Sequence, residues 1–146
     1  MSIWKQPADL ARINAWSANT MMETLGIRIT AVGDDWLAGT MPVDHRTHQP
    51  YGLLHGGASV VLAETLGSTA AMLTLDPEKE LAVGLDINAN HLRGVRSGIV
   101  AGTARALHIG RTTQVWEIRI ENEESSLVCI SRITMAVIAA RTVGLR

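Results

Sequence analysis

Residues 56–75 read GGASVVLAETLGSTAAMLTL, and Glu64 is the one charged side chain in that run. Small and apolar residues without a proline over such a length predict a helix despite Gly67. A surface helix displays several charges on its outer face, so a helix apolar nearly all round is expected to be buried nearly all round, Glu64 included. A carboxylate in such a place is retained where chemistry or a partner compensates its desolvation. A second reading stands beside this one. Glu is a good helix former, and with Ser68 one turn on it would form a narrow polar stripe facing water.

The start of this helix carries its own signal. His55-Gly56-Gly57 puts two glycines where the first amides of a helix have no intrahelical acceptor and where a Cβ would obstruct a ligand. The Gly56 N–H and the positive end of the helix dipole would there stabilise an oxyanion. The alternative is a tight loop-to-helix junction with a structural histidine. Gly56 and Glu64 lie eight residues apart, about 12 Å at a rise of about 1.5 Å per residue, so one helix cannot bring both to one carbonyl group. A site using both features requires two chains, and a symmetric dimer would hold two such sites.

Working outward, DHRTHQPYGLLH (44–55) has Pro50, Gly52 and no periodicity, which predicts a loop. Before it, Ile27, Ile29 and the run WLAGTMPV predict two strands joined by a turn at Gly33-Asp34-Asp35. Further upstream, Leu10, Ile13 and Trp16 recur at helical spacing in PADLARINAWS, and NTMMETLG predicts a short helical turn ending at Gly26. Beyond Asp76-Pro77 come four β-like segments, LAVGLDINANHLR, GIVAGTARALHI, TTQVWEIRI and SLVCISRITMAVI. In the third, Trp116, Ile118 and Ile120 alternate with Glu117 and Arg119, giving one buried and one polar face. Two strands, a long helix and a four-stranded meander predict an α+β fold in which an antiparallel sheet wraps around the helix.

The chain has 146 residues, 47% of them hydrophobic, which fits one domain with one core. A net charge of −1 gives no global field for nucleic acid or an anionic membrane. Arg93, Arg96, Arg105 and Arg111 nevertheless fall in one stretch, and Arg presents a donor fork suited to phosphate. Their other reading is ordinary solvation of strand ends. Cys129 stands alone, which fits a reducing cytoplasm, and the His, Cys and carboxylate residues lack metal-ligand spacing, His45 and His48 being read as solvated loop residues. No metal and no cofactor are expected. Asp9 and Arg12 interrupt the apolar run a signal peptide needs, and no stretch reads as a membrane span.

RTHQPYGLLHGGASVVLAETLGS (46–68), GLDINANHLR (84–93) and LHIGRTTQVW (107–116) together resemble the hotdog-fold acyl-CoA thioesterases. The likeness is to the PaaI-like branch with 4-hydroxybenzoyl-CoA thioesterase and 1,4-dihydroxy-2-naphthoyl-CoA hydrolase, and it spans nearly the whole chain. It implies a six-stranded antiparallel sheet curled around one long helix. The domain would be residues 1–146, with a helical segment at 1–25, a hotdog core at 26–139 and a tail at 140–146. It also implies hydrolysis of an acyl-CoA with Glu64 as nucleophile or general base, coenzyme A being part of the substrate. Gln49 and His55 of a facing subunit would orient substrate or water, Gly56 would polarise the carbonyl, and Ser68 would sit beside the attack site. Gly84 and His91, Leu92, Arg93 and Gly94 would contact substrate and coenzyme A, as would His108, Ile109, Gly110, Arg111, Thr112 and Thr113. Arg93 and Arg111 would meet phosphate.

Edge-to-edge homodimers, often paired into tetramers, are the implied assembly. An aromatic acyl group is expected, 1,4-dihydroxy-2-naphthoyl-CoA of menaquinone biosynthesis being the most specific case. Two other activities are weighed. A hotdog hydratase or dehydratase would carry an Asp-x-Asn-Pro-x-His signature, which the sequence lacks. A non-catalytic acyl-CoA sensor would need a DNA-binding module, for which the segment before Gly26 has no room.

Overall fold

Alternation in the sequence becomes a curled sheet in the computed structural model, which describes residues 1–142. The strands are β1 (Arg28–Val32), β2 (Trp36–Val43), β3 (Glu80–His91), β4 (Gly98–Ile109), β5 (Thr113–Glu121) and β6 (Leu127–Ala139). They form one antiparallel sheet of six strands in the order β1-β2-β4-β5-β6-β3. The helices are α1 (Leu10–Ala15), α2 (Met21–Leu25) and α3 (Gly56–Leu73), and a short 3₁₀ turn follows β6 at Ala140–Thr142. Of the expected tail, 143–146 lie outside the described residues.

The concave face of the sheet wraps α3. Trp116, Ile118 and Ile120 are sealed there with Leu37, Met41, Val100 and Ile133 against Leu62, Leu66 and Leu73 of the helix. Each such side chain contributes about 1.5–3 kcal/mol of burial. Close approach is set by small residues. Gly39 and Gly102 are register partners on β2 and β4, and a Cβ built on either would stand 2.7 or 2.5 Å from a Leu66 methyl. The glycine pair is therefore a socket for that leucine.

The other end of α3 is closed by the chain's first residues. Trp4 stacks on Trp116 with ring centroids 6.2 Å apart and donates its indole N–H to the Gly33 carbonyl at 2.6 Å. Gln6, buried, donates its amide to the Met72 and Leu75 carbonyls, satisfying helix-end acceptors. Within the core a chain of polar groups is fully used. Trp116 donates to Gln114 at 2.9 Å, Gln114 to Thr74 at 2.8 Å and Thr74 to the Ala71 carbonyl at 2.7 Å.

Three expectations are corrected. The last four strands are not one meander, because β3 pairs with β6 and residues 92–97 carry the chain across to β4, which lies between β2 and β5. Nearest-neighbour pairing is a frequent choice rather than a rule. The opening helix is shorter than its pattern, and only Ile13 docks, while Leu10 and Trp16 are exposed. Finally, α3 is not covered all round. Its outer face is open in the single chain, and Gly57 and Glu64 are exposed.

The two sheet edges differ. β1 is short and its register shifts between Ile29 and Ala31, which disfavours further pairing. β3 runs for 12 residues, pairs on one side with β6, and exposes Val83 and Leu85.

The packing sets the sign of one substitution. A Cβ on Gly67 would stand 2.5 Å from Ile133 Cγ2. Gly67→Ala is expected to gain about 1 kcal/mol of helix propensity but to lose about 1–3 kcal/mol to overpacking, for a net loss. Urea unfolding should show a lower midpoint with an unchanged slope; a raised midpoint would contradict the packing described.

Candidate active site

Three groups of the expected site residues lie at three levels along α3. At its start, His55 is the cap. Its Nδ1 accepts the Gly57 N–H at 2.7 Å, and its carbonyl accepts the Ala58 and Ser59 N–H groups at 2.9 and 3.2 Å. His55 thereby takes up the amides after Gly56 and leaves the Gly56 N–H as the donor of the helix start outside this set. With Nδ1 accepting, the neutral ring carries its proton on Nε2, the edge that remains available to a ligand.

The preceding loop is folded by its own polar groups. Arg46 donates to Asp44 at 2.7 Å, and this guanidinium holds the Asp44 carboxyl well below the usual carboxylate range. Thr47 donates its hydroxyl to the Pro42 carbonyl and accepts the His55 N–H at its own carbonyl. His48 Nε2 donates to the Arg96 carbonyl at 2.8 Å, and Leu54 N–H to Val95 at 2.7 Å, which ties the loop to the crossover segment. Gln49 accepts the Tyr51 N–H at Oε1, so its amide Nε2 is turned away from that contact.

Gln49, Gly56, His91, Leu92, Arg93 and Gly94 meet here around one cavity of about 360 Å³, with Leu53, Leu54, Ser59 and Val128 completing its wall. The ring of His91 lies against Gly56: a Cβ built on that glycine would stand 2.7 Å from His91 Nε2. Any side chain at position 56 would fill the approach to its N–H.

Glu64 occupies the second level. It faces β3, where a Cβ on Gly84 would stand 2.8 Å from Glu64 Oε1. The strand is bulged at this point, between Gly84 and Asp86. Bulges of this kind re-aim side chains beside functional sites. Beside the carboxylate lies a cavity of about 290 Å³ lined by Met21, Met22, Val61, Thr65, Ser68 and Thr69. Burial of Glu64, expected from the apolar run, is not found within one chain. Here the carboxylate lies on the open face of α3 next to Ser68, as the polar-stripe reading has it.

The third level is the far end of α3. Ile109, Gly110 and Arg111 of the β4–β5 turn line a cavity of about 420 Å³ with Lys5, Thr74, Glu80 and Gln114. The turn is closed by the Gly110 N–H on the Thr113 carbonyl at 2.9 Å, and Thr112 accepts the Val137 N–H at 2.8 Å. His108 follows a bulge in β4 and its Nε2 approaches Gly110. The arginines are dispersed accordingly. Arg93 stands at the α3 start and Arg111 at its end, and Arg96 is exposed near Asn122 and Glu123. Arg105 pairs with Asp35 at 3.1 Å and lies over Trp36, away from all three cavities.

Sequence reasoning missed Ser59 and the two methionines. Ser59 stands three residues after Gly56, a spacing that could have flagged it; no local signal places Met21 and Met22 beside Glu64.

The sequence model of the Thioesterase superfamily matches residues 51–129. The chain is 51% identical over 136 residues to the 1,4-dihydroxy-2-naphthoyl-CoA hydrolase of Escherichia coli, covering 93% of this chain and 99% of that protein. It is 52% identical to the proofreading thioesterase EntH of Cronobacter sakazakii, covering 93% and 98%. The crystal structure of a mutant thioesterase PA1618 from Pseudomonas aeruginosa superposes with a TM-score of 0.93 at 54% identity, covering 94% of this chain and 99% of that one.

The contact at Gly84 is tight against the far end of a flexible side chain, so relief should come from Glu64 rather than from the sheet. Gly84→Val is expected to keep the melting temperature within about 4 °C of the parent while displacing the Glu64 carboxylate by about 1 Å or more in a crystal structure. An unmoved carboxylate would show that Gly84 does not set its position.

Proposed function

Because the chain belongs to the thioesterase superfamily and is a hydrolase of thioester bonds, we propose that it hydrolyses an aromatic acyl-coenzyme A in sites shared between two copies. Glu64 of one protomer would work with Gln49, His55 and Gly56 of the other. The observation that carries this is the placement of Glu64 and Gly56 at separate levels of one rigid helix, about 12 Å apart by the helical rise.

An edge strand supports the assembly. The outer side of β3 leaves the backbone groups of a long strand available, with Val83 and Leu85 exposed beside it. Antiparallel pairing with the same strand of a second copy would satisfy those groups and cover the open face of α3. It would also bring His91 to Gly94 of one protomer toward the β4–β5 turn of the other, uniting Arg93 and Arg111 around the phosphates of one coenzyme A. Pairing of such dimers into a tetramer is part of the proposal.

Chemistry follows from the groups available. In the general-base route Glu64 takes a proton from water as the water oxygen attacks the thioester carbon. The oxyanion is held by the Gly56 N–H and the helix start. Collapse breaks the C–S bond, and the departing coenzyme A thiolate receives the proton from Glu64, giving the free acid and free thiol. In the nucleophilic route the Glu64 carboxylate attacks the thioester carbon and the C–S bond breaks to expel coenzyme A thiolate; water then cleaves the anhydride to the free acid and Glu64, the water's second proton going to the thiolate. Both require an ionised Glu64 at the carbonyl, and neither requires a metal or a cofactor.

The acyl group is assigned to the cavity beside Glu64. Its largely apolar wall and two thioethers suit a flat aromatic ring, since sulfur packs favourably on ring edges. The name of the Escherichia coli relative supports 1,4-dihydroxy-2-naphthoyl-CoA as the substrate; a place in menaquinone biosynthesis is part of the proposal. A cytoplasmic location accords with the single cysteine, Cys129, whose thiol is pushed up by burial. No helix among the described residues is long and apolar enough to cross a membrane.

Glu64→Ala is expected to lower kcat at least about a hundredfold on aryl-CoA thioesters, with inhibition by coenzyme A changed less than about threefold. Release of free thiol is the readout. A fully active variant would end the proposal. Across a panel of aryl and aliphatic thioesters, kcat/KM is expected to be highest for the aryl members.

A further inference from the structure

The cavity at the start of α3 holds a hydroxyl that neither the fold nor the mechanism above uses. Ser59 is 1% exposed, yet it lines that cavity together with Gly56, Gln49 and His91. Thr65 and Thr74 spend their hydroxyls on the helix, donating to the Val61 and Ala71 carbonyls at 2.7 Å, and Ser68 turns its own toward the Met135 sulfur. The Ser59 hydroxyl makes no such bond among the described residues. No sealed side-chain oxygen or nitrogen among them lacks a partner. The Ser59 oxygen is therefore not sealed in the core but opens onto the cavity.

Helix geometry fixes the face it shares. Ser59 follows Gly56 by three residues and shares its face, and a helical Cβ tilts toward the N-terminus. The Ser59 side chain thus stands over the helical turn that Gly56 opens, on the wall of the same cavity. His91 bounds the same space, its Nε2 standing 2.7 Å from where a Gly56 Cβ would be. Open to the cavity and bonded to no protein group, the hydroxyl has its donor proton available to a ligand oxygen at the helix start.

We propose that the Ser59 hydroxyl is a second donor to the thioester carbonyl oxygen, beside the Gly56 N–H; this rests on the reading of Gly56 as the oxyanion donor. A donor held in place beside the Gly56 N–H binds the charged oxygen of the tetrahedral intermediate more strongly than the neutral carbonyl. Its removal therefore acts on kcat more than on KM. It also differs from a structural serine in its effect on stability, because no protein bond is lost.

The test uses the full-length protein with benzoyl-CoA as the probe and compares Ser59→Ala, Ser59→Cys and Glu64→Ala in one assay. Ser59→Ala is expected to lower kcat about a hundredfold with KM within about threefold, while its melting temperature matches or exceeds the parent's. Ser59→Cys, close in size but a weak donor, should share the loss and serves if the alanine variant does not fold. Parent-like kcat in either folded variant overturns the proposal, as does a fall in melting temperature without a fall in kcat. If Glu64→Ala is inactive while the Ser59 variants are active, only the hydroxyl assignment fails. If Glu64→Ala is active as well, the reading of the whole site fails with it.

Discussion

A helix is a rigid ruler, and α3 separates its first amide from its one carboxylate by about 12 Å. That separation governs the rest of the molecule. In the proposed mechanism the Gly56 N–H and the Glu64 carboxylate serve the same reacting centre, one suited to developing negative charge and the other to a proton or an electrophilic carbon. No bending of a helix held in a close-packed sheet brings them together. In the proposed function the chemistry is therefore a property of a pair of helices, and the fold would have to supply the means of pairing them.

The curled sheet leaves one edge incomplete, and that edge is the proposed means. Leu66 seats in the Gly39 and Gly102 socket, and Gly67 presses on Ile133, so that α3 is drawn tightly onto the concave face. The short, bulged β1 ends the sheet on one side, while the long β3 ends it on the other with its backbone groups available. Gly84, on that same strand, is the residue against which Glu64 rests. The strand proposed to recruit the second copy thus also positions the carboxylate that the second copy would complete. In the proposed assembly that shared element would couple dimerisation to activity.

Much of the architecture was legible because its signals are local. The turn at Gly33 to Asp35, the aperiodic loop at 44–55, the onset of α3 at Gly56 and the bounds of β4 all follow from backbone chemistry or alternation within a few residues. Glu117 and Arg119 against Trp116, Ile118 and Ile120 gave the inner face of β5 directly. Long-range facts were not legible. Nothing in β3 says that it pairs with β6 rather than β4, because both neighbours would satisfy the same pattern. Leu10 and Trp16 keep helical spacing without a partner surface in their own chain. The clearest divergence is Glu64. An apolar run reports that a helix will be covered, but not which of its faces, and the outer face of α3 is open in the single chain. In the site itself, the Gly56 and Glu64 levels stood out as exceptions to their surroundings, whereas Ser59 is one small residue among many and becomes visible only when its hydrogen bonds are counted.

Subunit complementation tests the shared site most directly. Glu64→Ala and Gly56→Val each abolish one half of every site, and after unfolding and refolding together half of the dimers would be mixed. In a mixed dimer one site unites the intact Glu64 with the intact Gly56. Equal mixing should therefore restore about a quarter of the parent activity from two inactive parents. If each site lay within one chain, every chain would still carry a lesion, and a mixture that remains inactive while forming mixed dimers would contradict the account.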